Sequence, residues 1–267
     1  MAIIIDNGSD PDTVRALQGL AKFSNVVLNA NKENLGVAEA LNQGVQIAGQ
    51  HGFHWIVTLD QDTSLHVDML QHLLEVYAKC REKNVLLGAN YWDARKNRNF
   101  LQCRDVNAVF HERKTLITSG TLAPIRLFQE IGLFRKDYFI DSVDHEICLR
   151  ARAHGWRILI SCKPCMSHSI GSEMDGASWL RKRLSFNHSP TRKYFIARNT
   201  ITTTRQYFWR EPLWCVRQIC RLTADILSVV LFERQKSRKV WAFIVGLGHG
   251  MLGKLGSLEE AWPNGFR

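Results

Sequence analysis

Two carboxylates one residue apart, Asp60 and Asp62, follow directly on the apolar run from Trp55 to Leu59. At the end of a buried strand both can turn toward a divalent cation. Mg2+ and Mn2+ prefer such oxygen ligands and share them with substrate phosphates. An Asp-x-Asp pair alone says little, because acids also cap helices, and Thr63, Ser64 and Asp68 are capping candidates nearby. Asp6-Asn7-Gly8-Ser9 offers a carboxylate and a tight turn. It suits holding a base or ribose, and equally a plain strand-to-helix turn. The stretch from Asn34-Leu35-Gly36 to Asn42-Gln43-Gly44 spaces small and amide residues along a helix start. Gly36 and Ala38 permit close backbone approach, and a helix N-terminus favours phosphate; tight helix–sheet packing explains the same residues. Asp141, Asp144 and Glu146 compete for the role of proton acceptor. On a helix Asp141 and Asp144 share a face while Glu146 points elsewhere, and Asp144 also suits a helix N-cap. Cys162-Lys163-Pro164-Cys165, with His168 following, has the spacing of half a zinc site. No second cysteine pair completes it, so two thiols are expected there.

These residues need elements to position them. Ala2 to Ile5 is a continuous apolar run that reads as a buried parallel strand. Asp10-Pro11-Asp12-Thr13 opens a helix, Val26 to Asn29 forms a second strand, and Glu39 to Gln50 has a helical apolar period. Trp55 to Leu59 is a third strand, and Leu65 to Cys80 an amphipathic helix. Val85 to Ala89 and Lys114 to Thr118 have strand character, Pro124 to Ile131 that of a short helix. Asp144 to His154 is a helix stopped by Gly155, followed by a strand from Arg157 to Ser161. Strands alternating with helices predict βαβ units and a mostly parallel sheet, with ligands beyond the strands' carboxyl ends. Both Asp6 and Asp60 fall at such ends.

The 267 residues suffice for one large α/β domain, or one with an appendage. The net charge of +10 is uneven: from Arg181 onward there are 16 basic and 5 acidic residues, against 19 and 20 before it. A boundary near Asp175 separates residues 1–175, the expected catalytic domain, from a basic helical region at 176–267. Seven cysteines in a chain this large are read as reduced thiols of the cytoplasm. No signal peptide and no apolar run of spanning length is seen. Apolar patches at Ala224 to Phe232 and Val240 to Val245 are flanked by Arg234, Lys236, Arg238 and Lys239, with Trp209, Trp214 and Trp241 nearby. Peripheral attachment to an anionic membrane surface is expected, or else a helical cap on the catalytic domain.

In this order, Asp6-Asn7-Gly8-Ser9, Asn34-Leu35-Gly36 through Asn42-Gln43-Gly44, Asp60-Gln61-Asp62, Ser119-Gly120 and Val143 through Arg150 resemble the large inverting glycosyltransferase family numbered two, of the GT-A fold. The resemblance runs from Ala2 to about Gly171. Asp60-Gln61-Asp62 with Phe139 through Glu146 is most similar to its rhamnosyltransferase branch, which implies dTDP-L-rhamnose as donor and bacterial surface polysaccharides, O-antigen among them, as product. It implies a Rossmann-like, mostly parallel sheet with flanking helices. It further implies that Asp6, Asn7, Gly8, Asn34, Gly36, Asn42 and Asp60 hold the nucleotide-sugar. Asp62 would hold a Mg2+ or Mn2+ ion, completed by His168. Ser119, Gly120 and Arg198 would lie on the acceptor side, and Asp144 would be the catalytic base with Asp141 beside it. Tyr194, Arg198 and Asn199 match a Tyr…Arg-Asn pattern after the core domain. The acceptor would be a saccharide or lipid-linked sugar at the inner face of the cell membrane. The family pattern opens with a further strand that helps hold the base, and by this resemblance the chain starts at what would be the second strand. A nucleotide-binding remnant is one alternative. A nucleic-acid-binding protein using the basic third is the other, although no nucleic acid is expected under the main reading.

Overall fold

The computed structural model describes residues 1–93, 97–103, 105, 107–168, 187–262 and 265, without the side chain of His168. The expected boundary at Asp175 and the segment Ser169 to Gly171 lie outside the described residues. The chain divides into two compact units, Met1–Lys136 with Asp144–Ser169, and Asp137–Val143 with Ile170–Arg267.

The first unit contains β1 (Ala2–Asn7), α1 (Pro11–Leu20), β2 (Val26–Asn31), α2 (Val37–Gln50), β3 (Trp55–Thr58), β4 (Thr63–Leu65) and α3 (Met69–Ala78). It continues with β5 (Val85–Asp93), β6 (Arg98–Asn99), β7 (Phe110–Glu112), β8 (Thr121–Pro124), α4 (Ile125–Ile131), α5 (Val143–Ala153) and β9 (Arg157–His168). Val143, the first residue of α5, falls with the second unit. Asp10 starts α1 as expected, its carboxylate accepting from the backbone N–H groups of Asp12 and Thr13. β1 and β2 pair in parallel, in register from Ala2↔Val26 to Asn7↔Asn31. The remaining strands form a second sheet in the order β3-β8-β5-β9-β4, with β6 on β5 and β7 on β9. Helix α2 packs against both β1 and β3.

The larger sheet is mixed rather than mostly parallel, a correction to the expected topology. β5 and β9 run parallel, whereas β3–β8, β5–β8, β4–β9, β5–β6 and β7–β9 are antiparallel. Its core is the adjacent pair β5 and β9, where Val85, Leu86, Leu87, Ile158, Leu159 and Ile160 are buried. Helices α3 and α5 contribute Leu73, Val76, Ile147, Leu149 and Ala151 to the buried set. A strand covered on both faces reads as an unbroken apolar run, which is why these two were legible.

Other features also differ from expectation. Leu65 ends a strand, because β4 pairs with β9 from Thr63↔His168 to Leu65↔Met166, and α3 starts only at Met69. Lys114 to Thr118 is not a strand; the pairing partners on either side are β7 and β8. In this connecting segment Leu116 is buried while Thr115, Ile117 and Thr118 are partly buried. Cys162 is bonded to Cys103 with Cα atoms 5.7 Å apart, so the expectation of reduced thiols does not hold there, while Cys165 is free and buried. The two halves of this disulfide are 59 residues apart and meet only in the folded chain.

The second unit is helical: α6 (Pro190–Tyr207), α7 (Pro212–Phe232), α8 (Lys236–Leu252) and the short α9 (Leu258–Ala261). Helices α7 and α8 both pack on α6. Ala197, Leu222, Val229 and Phe243 are buried together where the three meet.

Candidate active site

The end of β3 sets the geometry. Thr58 is buried, and the chain leaves the sheet through an exposed bend carrying Asp60 and Asp62. Ser119, 1% exposed, lies under that bend: its Oγ accepts from the Asp60 backbone N–H at 3.1 Å and lies 2.6 Å from Thr63 Oγ1. One hydroxyl thus ties both ends of the acidic bend. Gly120 follows with φ 76°, its N–H donating to Thr58 O at 2.8 Å and its carbonyl accepting from Ala89 N–H at 2.8 Å. A Cβ there would lie 2.6 Å from Met166 Sδ and 2.9 Å from Ala89 Cβ, so only glycine fits. Ser119 and Gly120 therefore support the bend from beneath.

Backbone pairing brings His168 opposite Thr63, one residue from Asp62 and far from it in sequence. The His168 side chain lies outside what is described. No group of three or more potential ligand side chains occurs among the described residues. What the bend can offer is a set of carboxylate oxygens on a surface loop. Such a set fits a hard divalent cation whose remaining positions belong to phosphate oxygens and water.

Asp144 stands in the first turn of α5, not at its N-cap. Its Oδ1 accepts from the His145 N–H at 2.8 Å. Asp144 lines a small cavity of about 20 Å3 together with Thr58, Thr118 and Cys148, which puts it beside the end of β3. Burial pushes the Cys148 thiol up to about 12, so it stays neutral in that wall. Glu146 is fully buried and paired with Arg150 at 2.8 Å, while Arg150 also donates to Ile131 O and Leu133 O. That pair packs α5 and leaves Glu146 no access to a substrate.

Asp141 does not share a helical face with Asp144, because α5 begins only at Val143. It sits in a turn whose residues Phe139, Asp141 and Ser142 all have left-handed backbone, with φ of 63°, 64° and 60°. Both its carboxylate oxygens accept from Arg192 Nε at 3.3 Å.

At the ends of β1 and β2 an amide cluster forms. Asp6 is 5% exposed, and its Oδ2 accepts from the Ser9 N–H at 3.3 Å. Asn7 donates to Asn34 Oδ1 at 3.0 Å and to Gly36 O at 3.2 Å, and accepts from Leu35 N–H and Asn31 Nδ2. Gly8, at φ 84°, has Glu33 C only 2.6 Å from where a Cβ would stand. Asp6, Asn7, Gly8, Asn34 and Gly36 are thus one constellation. Asn42 is apart from it: its amide exchanges two bonds with the Phe134 backbone, at 2.9 and 2.8 Å, and holds α2 to the chain after α4.

Arg198, expected on the acceptor side, has no exposed surface and belongs to the interior of the helical unit. Trp214 and Lys239, expected near a membrane surface, are also buried, whereas Trp209 and Trp241 are 91% and 55% exposed. Ser119 as support of the acidic bend and Asn199, described below, were missed as positioning residues. The bonds that give them these roles reach 56 or more positions along the chain, and the Ser119-Gly120 and Tyr…Arg-Asn patterns mark the residues without saying what they hold.

The sequence profile described as "Glycosyl transferase family 2" matches residues 2–138. A dTDP-rhamnosyl transferase RfbF of Shigella flexneri is 24% identical over 216 residues, covering 76% of this chain and 70% of that protein. Among solved structures, the mannosyltransferase PcManGT from Pyrobaculum calidifontis, in complex with GDP-Man and Mn2+, superposes with a TM-score of 0.53 at 12% identity, covering 98% of this chain and 78% of that one. TarS of S. aureus with UDP-GlcNAc gives 0.50 at 11% identity, covering 94% and 82%. GalNAc-T7 with UDP, GalNAc and Mn2+ gives 0.51 at 15% identity over 82% of this chain, which spans 47% of the GalNAc-T7 chain.

Proposed function

The chain belongs to glycosyl transferase family 2, and we propose that the sugar it moves is L-rhamnose, taken from dTDP-rhamnose and delivered with inversion to a hydroxyl of a saccharide or lipid-linked acceptor. The product would be a bacterial surface polysaccharide such as O-antigen. The rhamnosyl specificity draws on the similarity to RfbF. The observation that carries the catalytic reading is the convergence at β3: an acidic bend pinned by Ser119, with Asp144 lining a cavity beside the same strand end.

In this reading the amide cluster around Asp6 and Asn7 holds the base and ribose. Asp62, with His168 opposite its neighbour, holds a divalent cation, and Asp60 faces the ribose. A cation bound there would supply positive charge to the departing diphosphate. Asp144 takes the proton from the acceptor hydroxyl as its oxygen attacks the anomeric carbon and the bond to diphosphate breaks on the opposite face. Asp141 is a weaker candidate for that task, since both its oxygens already accept from Arg192.

The site would work at an anionic membrane surface, on its cytoplasmic face. Along α7, Leu213, Val216, Ile219, Leu227, Val230 and Leu231 are exposed on one side of the helix. Arg217 and Arg221 flank them, and on α8 Trp241 and Ile244 are exposed as well. A face this apolar suits an interfacial lipid layer better than a nucleic-acid backbone. No helix among the described residues is long and apolar enough to cross a membrane.

The test is a transfer assay with dTDP-rhamnose and a lipid-linked saccharide, with product anomer read by NMR. Asp144→Asn is expected to lower kcat at least about 100-fold with donor KM little changed. Near-normal transfer by Asp144→Asn, with loss in Asp141→Asn, would reverse the base assignment. Nucleotide binding without any transfer by the unaltered chain would favour a remnant.

A further inference from the structure

Among the buried polar side chains of helix α6, Arg198 and Asn199 have no part in the transfer mechanism described above. The Arg198 guanidinium donates to Gly256 O at 2.7 Å, Tyr138 O at 3.0 Å and Asp137 O at 3.1 Å. Its Nε donates to Asn199 Oδ1 at 2.9 Å. The Asn199 amide nitrogen in turn reaches Tyr138 O at 2.9 Å, Ile140 O at 2.7 Å and Asp141 O at 2.9 Å. Both residues are 0% exposed. Phe139 stacks on Phe195 with ring centroids 5.2 Å apart, and the Tyr138 hydroxyl lies 3.0 Å from Thr203 Oγ1. These contacts explain why Asp137–Val143 groups with the helical unit.

The segment so held is the one whose backbone is least favourable. Phe139, Asp141 and Ser142 are left-handed without being glycine. An L side chain avoids that region, and a bulky aromatic does so most strongly. Such a turn persists only where its surroundings over-determine it, and clusters of this kind mark functional positions. Two residues after Ser142 the chain reaches Asp144.

We propose that Arg198 and Asn199 are positioning residues for transfer: by binding the carbonyls of residues 137, 138, 140 and 141 they hold a left-handed turn that fixes Asp141 and the backbone entering α5 at Val143. They act on backbone, not on substrate. Arg192 completes the arrangement by engaging the Asp141 carboxylate. The role rests on the transferase reading above for its effect on rate, but not for its effect on the turn.

The experiment uses the full chain and two readouts, hydrogen exchange of residues 138–143 and steady-state transfer. Asn199→Ala is expected to speed exchange in the turn at least about 10-fold, leaving α3 and β5 unchanged. It should lower kcat on the order of 100-fold, with donor and acceptor KM within about 2-fold. Adding Ser142→Gly should recover part of both, because glycine adopts the left-handed conformation without penalty. Arg198→Lys, which keeps the charge but loses the planar fork, serves as the milder variant if Asn199→Ala does not fold. A rise in acceptor KM with kcat intact would mean direct substrate contact and overturn the proposal. So would unchanged exchange in a folded variant. If the unaltered chain transfers no sugar, the transferase reading fails while the exchange arm still decides the clamp.

Discussion

At the residue scale, a single hydroxyl does what two carboxylates cannot do for themselves. Asp60 and Asp62 sit on an exposed bend, where like charges repel. Ser119 Oγ ties the bend at Asp60 N–H and Thr63 Oγ1. Ser119→Ala leaves a buried site without those two bonds, at a cost of about 1–3 kcal/mol. The expected outcome is a lower Tm together with a shift of the activating Mn2+ concentration to higher values, read by a Mn2+ titration of kcat/KM. The acids themselves were legible because their types announce their chemistry. Ser119 was legible only as part of a family pattern, and its role as support was not. Nothing about a serine near position 119 says that position 60 lies above it. The same holds for Asn42, whose type suits ligand binding but whose amide is committed to the Phe134 backbone.

At the element scale, the helical unit is built on close approach. Gly246 and Gly250, four residues apart on α8, face α6. A Cβ on Gly246 would stand 2.5 Å from Tyr194 O, and one on Gly250 2.5 Å from Arg198 O. The neighbours are backbone carbonyls and cannot step aside. Gly250→Ala therefore forces the helices apart and is expected to destabilise the unit by about 1–3 kcal/mol, measured by urea denaturation. Gly248 lies between them with nothing within 4 Å of where its Cβ would stand, so Gly248→Ala is the internal control and should be neutral or slightly stabilising. The period of α8 was legible, and so was its apolar character. Which helix its glycines meet was not, because spacing gives a face and not a partner. The sheet shows the same limit. β5 and β9 announce themselves as apolar runs, but the antiparallel pairings of β4 with β9 and of β8 with β3 depend on distant chain, and Lys114 to Thr118 has strand-like residues that join no strand.

At the scale of the whole molecule, charge and apolar surface belong together. The basic excess after residue 181 falls on the same region as the exposed apolar side of α7. Leu213 is 82% exposed and Leu227 56%, which for side chains of that size is costly unless something covers them. Flotation with vesicles containing anionic lipid is expected to carry the protein at low salt, and Leu213→Ser with Leu227→Ser to abolish this. Absence of binding in the unaltered chain, or a concentration-dependent dimer that masks the same face, would remove the membrane from the account. The central claim concerns the acidic bend at the end of β3, and calorimetric titration with dTDP in the presence of Mn2+ tests it most directly. Binding is expected to require the cation, to be stronger for dTDP than for UDP, to be lost in Asp62→Asn and to survive in Asp144→Asn. Binding that is indifferent to chelation and to Asp62→Asn would contradict it.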